Sequence, residues 1–158
     1  MEPTRLFGEK PPTTRILVVD DEESVCKIIS RCLAPLGFDV DTALDADRAL
    51  DSMRAQRADV ALVDIRMPGR DGVWLIDRLQ EQYPRTAIVI VTGVRELDPR
   101  LTLRPGVISY LTKPFTAATV REAVTKAVAS VASLPKDGPL TEVHRVSDSD
   151  LPDFPDTK

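Results

Sequence analysis

Polar side chains end four apolar runs that are spread along this chain. Asp20 and Asp21 follow ILVV, Asp64 ends VALVD, Thr92 follows AIVIV, and Lys113 follows VISYLT. If these runs are parallel strands of one sheet, their carboxyl ends meet at one edge, where open α/β sheets bind ligands. Three carboxylates at one edge require a cation among them, and oxygen ligands favour a hard divalent ion, here Mg²⁺. With a hydroxyl and an ammonium beside them, these groups are suited to handling a phosphoryl group.

The segments between these runs predict helices, so strand and helix alternate. Each crossover is mostly helical, which predicts an α/β fold with a doubly wound, five-stranded parallel sheet and helices on both faces. The aliphatic strands fit a sheet that is buried on both sides. The predicted strands are Ile16 to Asp20, Phe38 to Ala43, Val60 to Val63, Ala87 to Val91 and Val107 to Leu111. Helices are predicted from about Glu22 to Leu36, after a cap at Asp45, after a loop in which Pro68, Gly69 and Gly72 stop regular structure, and after a cap at Thr116.

The first predicted helix has a cap at Asp21 or a neighbour, ends at Gly37, and carries an apolar stripe that is expected to face the core. Its two cysteines, Cys26 and Cys32, are separated by about 9 Å along the helix axis and point to different faces. We therefore expect two buried thiols in a reducing cytoplasm, with no disulfide and no metal role. The stripe comprises Val25, Ile28, Ile29, Cys32, Leu33 and Leu36.

Composition limits the classes of function. The 158 residues carry a net charge of -4, which gives no support for direct nucleic-acid binding. The chain shows no signal peptide and no apolar stretch of membrane-spanning length, so a cytoplasmic protein is expected. Residues 1–14 predict a flexible N-terminal arm, residues 15–134 one domain, and residues 135–158 a disordered acidic tail or linker. The only histidine, His144, lies in that tail, so a histidine base at the active edge is not expected.

Asp64 is the best candidate for a nucleophile, because it ends a buried strand and a turn leaves one side open. A carboxylate can attack phosphorus to give an aspartyl phosphate. Mg²⁺ at Asp21 and Asp64 would offset the charge on the group that is transferred. Lys113 would pair with the phosphate as a point charge, and Thr92 is placed to donate its hydroxyl.

The motifs VVDDE, LVDIRMPGRDG, VTG and YLTKPF stand in an order and spacing that resemble the receiver domain of bacterial two-component response regulators. The resemblance runs from about Arg15 to Leu134. It implies a flavodoxin-like fold with strand order 2-1-3-4-5. It also implies a role for each matching residue: Asp64 as phosphoacceptor, Asp20, Asp21 and Asp64 with the backbone carbonyl of Arg66 as Mg²⁺ ligands, Thr92 and Tyr110 as the switch pair, Lys113 as the phosphate-binding lysine, and a cis bond between Lys113 and Pro114.

The family mechanism implies a switch. A histidine kinase or histidine phosphotransfer protein donates its phosphoryl group to Asp64, and the repacking of one face changes partner binding. We call this the output face: the segment 93–109, the fifth strand and the last helix. Its partner is expected to be a protein, and a homodimer is left open. The only chemistry implied is self-phosphorylation and self-dephosphorylation.

One stretch departs from the family pattern. Pro99 and Pro105 allow only a short or distorted helix between the fourth and fifth strands. We therefore expect that the output face binds a specialised partner or is weakly coupled to phosphorylation.

Two other classes of function stay open. The chain could be a binding module that works without phosphorylation, or a small phosphohydrolase with an Asp nucleophile. Arg66 stands where such a hydrolase usually has its second acid, which speaks against turnover. A stand-alone receiver is favoured over the receiver piece of a longer regulator, in which residues 135–158 would be the linker.

Overall fold

The computed structural model describes residues 13–93 and 104–134. Strands and helices alternate from residue 15 to residue 93, as the sequence predicts. Residues 1–12 of the predicted arm, residues 94–103 of the atypical stretch and the predicted tail 135–158 lie outside the described residues. The elements are β1 (Arg15–Val19), α1 (Glu23–Leu33), a 3₁₀ turn (Ala34–Leu36), β2 (Asp39–Ala43), α2 (Ala46–Ala55), β3 (Val60–Asp64), α3 (Gly72–Gln82), β4 (Ala87–Gly93), β5 (Val107–Lys113) and α4 (Ala117–Ala132).

The five strands form one parallel sheet in the order β2-β1-β3-β4-β5. This is the predicted flavodoxin-like order, and it is confirmed. β1 and β3 are neighbours at the centre, with Val19 opposite Val63. β3 pairs next with β4, so that Asp64 lies opposite Val91. The carboxyl ends of β1, β3, β4 and β5 therefore meet at one edge of the sheet.

Both faces of the sheet are buried, each under a pair of helices. One apolar cluster joins the sheet to α2 and α3, and the other joins it to α1 and α4. Because successive side chains of a strand point to opposite faces, Leu62 belongs to one cluster and Val63 to the other. This double burial explains why β3 is apolar at every position before Asp64. In the described part of the chain, no helix is both long and apolar enough to cross a bilayer.

Local signals at the helix ends match most of the predicted caps. Asp45 accepts a hydrogen bond from the Arg48 N–H at 2.7 Å and starts α2. Thr116 forms a reciprocal capping box with Thr119 at the start of α4. The prediction that Gly72 stops regular structure is wrong, because it is the first residue of α3, whose cap is Asp71.

The first helix differs from its prediction in length and in orientation. α1 ends at Leu33, and a 3₁₀ turn with a proline in its first turn carries the chain on to Gly37, which has a φ of 78°. Ile28 is 49% exposed and Leu36 43% exposed, so the predicted stripe is wrong at both positions. The buried residues of α1 are Cys26, Ile29 and Leu33. At about 100° per residue, Ile28 points well away from that face.

The cysteines are only partly as predicted. Cys26 is buried, whereas Cys32 is half-buried, and both are free. Cys32 lies roughly 90° around the helix from the centre of the buried face of α1, at the margin of the core. The prediction of two buried thiols is therefore confirmed for Cys26 alone, and neither thiol forms a disulfide.

Candidate functional site at the carboxyl edge of the sheet

Three strands bring charged groups into direct contact at this edge. Asp20 follows β1, Asp64 is the last residue of β3, and Lys113 is the last residue of β5. The Lys113 ammonium lies between the two carboxylates, with its Nζ 3.1 Å from Oδ2 of Asp20 and 3.4 Å from Oδ2 of Asp64. Asp20 is 1% exposed and Asp64 5% exposed, so both carboxylates are shielded from water, whereas the Lys113 side chain is partly exposed. The sequence-predicted acids and lysine therefore form one cluster.

Asp20 is held by every polar group it carries. Its backbone N–H donates to the carbonyl of Ala43 at 3.1 Å, and its own carbonyl accepts the Cys26 thiol at 3.5 Å. Its Oδ1 accepts the Glu22 N–H at 2.9 Å, while Oδ2 accepts from Lys113. The carboxylate is thus fixed in position and direction.

The surroundings of Asp64 disfavour the charged form of its carboxylate. Burial and the charge of Asp20 raise the pKa of Asp64 from its usual 3.8 to about 6. The Lys113 ammonium and a 3.1 Å hydrogen bond from the Arg66 N–H oppose that rise. A cation placed beside Asp64 would therefore be strongly favoured.

Lys113 is the cation that already lies there. Burial alone would lower the pKa of Lys113, but hydrogen bonds and charge pairing with Asp20 and Asp64 outweigh burial, so its pKa is raised. The ammonium therefore stays protonated at neutral pH. It is a permanent positive charge at the centre of the site and cannot serve as a base.

The carboxylates fit a divalent metal ion. Asp20, Asp21 and Asp64 each offer one oxygen, and these three oxygens lie within 4.8 Å of one another. Asp21 is exposed whereas the other two are buried, so the cluster opens to solvent on one side. An all-oxygen set of this kind suits Mg²⁺. The neighbouring Cys26 does not belong to this ligand set, because its Sγ contacts the backbone carbonyl of Asp20 and Mg²⁺ prefers oxygen ligands.

Helix α3 packs directly on the backbone of Asp64. A Cβ atom on Gly72 would lie 2.1 Å from the Asp64 carbonyl oxygen and 2.8 Å from Cα of Ile65. The Gly72 N–H donates to the Ile65 carbonyl at 3.0 Å. Only glycine allows this approach, so the first residue of α3 helps to define where Asp64 stands.

The remaining predicted residues lie on β4, on β5 and in the loop after β3. Thr92 is fully buried near the end of β4, and its hydroxyl donates to the carbonyl of Gly93 at 3.1 Å. Tyr110 is half-buried and packs on the core. Arg66 is exposed, with its N–H on Asp64. The Lys113-Pro114 bond is cis, as the resemblance implies. The switch roles of Thr92 and Tyr110 and the metal contact of the Arg66 carbonyl stay predictions.

The sequence reasoning missed two residues that shape the site. The sequence pattern predicts that Gly72 stops regular structure, although an Asp-Gly pair before an apolar stripe is also an ordinary helix start, in which Asp71 caps. Cys26 gave no usable signal, because its contact with the Asp20 carbonyl depends on the way α1 docks. Both residues act on the backbone of an acid rather than on its carboxylate.

A family model for the response regulator receiver domain matches residues 16–125. The chain belongs to this family. Receiver domains act in two-component signalling by phosphorylation and bind Mg²⁺ at an acidic pocket, and the cluster of Asp20, Asp21 and Asp64 corresponds to such a pocket. The motifs that carry the sequence resemblance are therefore the ones that the fold brings together.

Solved structures agree with this assignment. Chemotaxis protein CheY4 of Vibrio cholerae is 30% identical, with 73% of this chain and 99% of that chain covered and a TM-score of 0.66. The receiver domain of an HD domain-containing protein from Pseudomonas fluorescens Pf-5 is 28% identical, with coverage of 78% and 100% and a TM-score of 0.71.

A longer protein also matches over part of its length. NtrX from Brucella abortus, solved in complex with ATP, is 28% identical over 75% of this chain, with a TM-score of 0.70. This chain spans only 27% of that NtrX chain. The likeness to NtrX therefore concerns one domain of that protein.

Proposed function

We propose that this receiver domain is a phosphorylation-dependent switch in which Asp64 accepts a phosphoryl group from a histidine kinase or a histidine phosphotransfer protein, with Mg²⁺ bound beside it. The observation that carries the proposal is the contact of the buried Asp64 carboxylate with Lys113, within 4.8 Å of the oxygens of Asp20 and Asp21. A nucleophile, a fixed cation and a set of metal ligands lie together there.

The transfer step is a displacement at phosphorus. One oxygen of the Asp64 carboxylate forms a new P–O bond while the P–N bond to the donor histidine breaks, and the imidazole leaves with the bonding electron pair. Asp20, Asp21, Asp64 and the Arg66 carbonyl would hold Mg²⁺, which supplies positive charge against the phosphoryl oxygens. Lys113 stays protonated and pairs with a phosphoryl oxygen, and its bond to Asp20 keeps it in place.

The readout proceeds through Thr92 and Tyr110. The Thr92 hydroxyl, which donates to Gly93 in this structure, turns toward the new phosphoryl group. Tyr110, half-buried on β5, follows into the space that Thr92 leaves. The output face then changes its affinity for a protein target. We place this protein in the cytoplasm, with no nucleic acid or membrane as direct partner and with no separate substrate to turn over.

Intact mass spectrometry tests the first step. The protein is incubated with acetyl phosphate and Mg²⁺, in parallel with Asp64→Asn and with Asp45→Asn as a matched control. We expect an added phosphoryl group on the native protein and on Asp45→Asn, which changes only an exposed helix cap. Asp64→Asn should stay unmodified.

Three results would contradict the proposal. An adduct that persists in Asp64→Asn would assign the phosphoryl group to another residue. A folded native protein that binds Mg²⁺ yet takes no phosphoryl group would favour the binding module that works without phosphorylation. Steady release of inorganic phosphate over many turnovers would favour the phosphohydrolase.

A further inference from the structure

The buried thiol of Cys26 contacts the backbone of Asp20, one of the acids that we propose as Mg²⁺ ligands. Cys26 lies in the first turns of α1 and is 2% exposed. Its Sγ lies 3.5 Å from the carbonyl oxygen of Asp20, within the reach of an S–H···O hydrogen bond. A cysteine thiol is a weak hydrogen-bond donor, and this geometry directs it at the Asp20 carbonyl.

This contact matters because Asp20 sits on the bend between β1 and α1. Strand pairing holds its N–H, through the carbonyl of Ala43, and its carboxylate meets Glu22 and Lys113. The carbonyl has the Cys26 thiol as its side-chain donor. Rotation of that peptide would move the carboxylates of both Asp20 and Asp21, since the peptide joins the two residues.

We propose that Cys26 is a positioning residue for the Mg²⁺ site, in which its thiol anchors the Asp20 carbonyl and thereby sets the direction of the Asp20 and Asp21 carboxylates. This inference rests on the proposed function, because it assigns Mg²⁺ to those acids. Cys26 touches neither the ion nor the phosphoryl group. Its effect is on the affinity for the ion.

Three substitutions separate a donor from a packing residue. Cys26→Ser keeps a donor in a smaller side chain, Cys26→Ala has nearly the volume of serine but no donor, and Cys26→Val loses the donor and is larger than cysteine. A donor role predicts that Cys26→Val and Cys26→Ala both harm the site more than Cys26→Ser, whereas a packing role predicts equal effects of Cys26→Ser and Cys26→Ala. Cys32→Val is the matched control, since Cys32 is half-buried on the same helix.

The first measurement is made without metal. In amide NMR spectra of ¹⁵N-labelled protein, the Glu22 N–H reports on Oδ1 of Asp20, to which it donates. We expect Cys26→Val to move the Glu22 amide resonance and Cys26→Ser to leave it close to that of the native protein. A Glu22 resonance that is unchanged in Cys26→Val would overturn the proposal.

The second measurement is a Mg²⁺ titration followed on the same amides. We expect the Kd to rise about fivefold in Cys26→Val, the factor that corresponds to a hydrogen bond of about 1 kcal/mol. It should rise less than twofold in Cys26→Ser and in Cys32→Val. A Kd that rises equally in Cys26→Ser and in Cys26→Ala would show a packing role and overturn the proposal.

The proposed function and the role of Cys26 can be contradicted separately. If the native protein binds no Mg²⁺, the proposed function fails before any variant is compared. If the native protein binds Mg²⁺ and Cys26→Val binds it equally well, the role of Cys26 fails and the proposed function stands. Should Cys26→Val not fold, Cys26→Ala removes the donor without added bulk, and the same two outcomes apply.

Discussion

Replacing Asp64, the proposed phosphoacceptor, should make the metal-free protein more stable. In the unfolded chain Asp64 titrates near 3.8, whereas in the folded protein its pKa is about 6, raised first by burial and then by Asp20. Below pH 3.8 Asp64 is protonated in both the folded and the unfolded state, so the difference in pKa costs no stability. As the pH rises toward 6, the unfolded state releases its proton first, so the stability of the folded state falls.

The size of this loss follows from the shift. About two pKa units at 1.36 kcal/mol each give roughly 3 kcal/mol above pH 6. Asp64→Asn keeps the shape of the neutral acid and never carries the charge. We therefore expect Asp64→Asn to unfold with a free energy that is about 2 to 3 kcal/mol higher at pH 7.5, with a gain that shrinks toward zero near pH 4. For a domain of this size that gain corresponds to roughly 5 to 10 °C in Tm.

Urea denaturation with a chelator present, followed by circular dichroism at several pH values, measures this gain. Asp45→Asn controls for the change of Asp to Asn, since Asn caps a helix as well as Asp does. Added Mg²⁺ should stabilise the native protein more than it stabilises the Asp64→Asn variant, so the difference between their free energies of unfolding should become smaller. A gain that is equal at pH 4.5 and 7.5, or no gain at pH 7.5, would refute the reasoning.

Two further substitutions test the site. Lys113→Met should raise the pKa of Asp64 further, because the charge and hydrogen bond of Lys113 lower that pKa. A ¹³C NMR titration of the Asp64 carboxyl group measures the pKa. The control Lys27→Met, which removes an exposed ion pair, should leave the pKa of Asp64 unchanged. Gly72→Ala should force a displacement of about 1 Å against the Asp64 carbonyl and cost at least about 2 kcal/mol in urea denaturation, with slower phosphorylation by acetyl phosphate. Gly69→Asn, at a positive φ with no atom near its Cβ position, should be tolerated, and equal losses in the two glycine variants would argue against a specific contact.

The sequence predicts the sheet and the charged cluster well, for a physical reason. Strands buried on both faces must be apolar throughout, so a polar residue such as Asp64 or Thr92 stands out where each run ends. Parallel topology then brings these ends to one edge without any further information. The site of a doubly wound sheet can be read from the chain because strand direction, rather than side-chain detail, positions it.

Side-chain detail decided the points that the sequence did not predict. α1 has more apolar residues than it can bury, and the docking angle of the helix selects Cys26, Ile29 and Leu33 while Ile28 faces solvent. The contact of Gly72 with Asp64 depends on how closely α3 approaches the sheet, which no periodicity records. Packing geometry therefore decides which residues are buried or in close contact, where the hydrophobic pattern of the sequence does not distinguish them.

The bridge from Lys113 to Asp20 has a consequence for how the chain reaches its native state. These two residues are 93 positions apart, and Lys113 ends the last strand of the sheet. Until β5 has paired with β4, Asp20 and Asp64 face each other without the ammonium between them, and closing so distant a contact is a slow, entropically costly step. The cluster of Asp20, Asp64 and Lys113 is therefore complete only in a chain that has finished folding. Under the proposed function, a partly folded copy would lack the complete site that accepts the phosphoryl group, so phosphorylation of Asp64 would be restricted to native molecules.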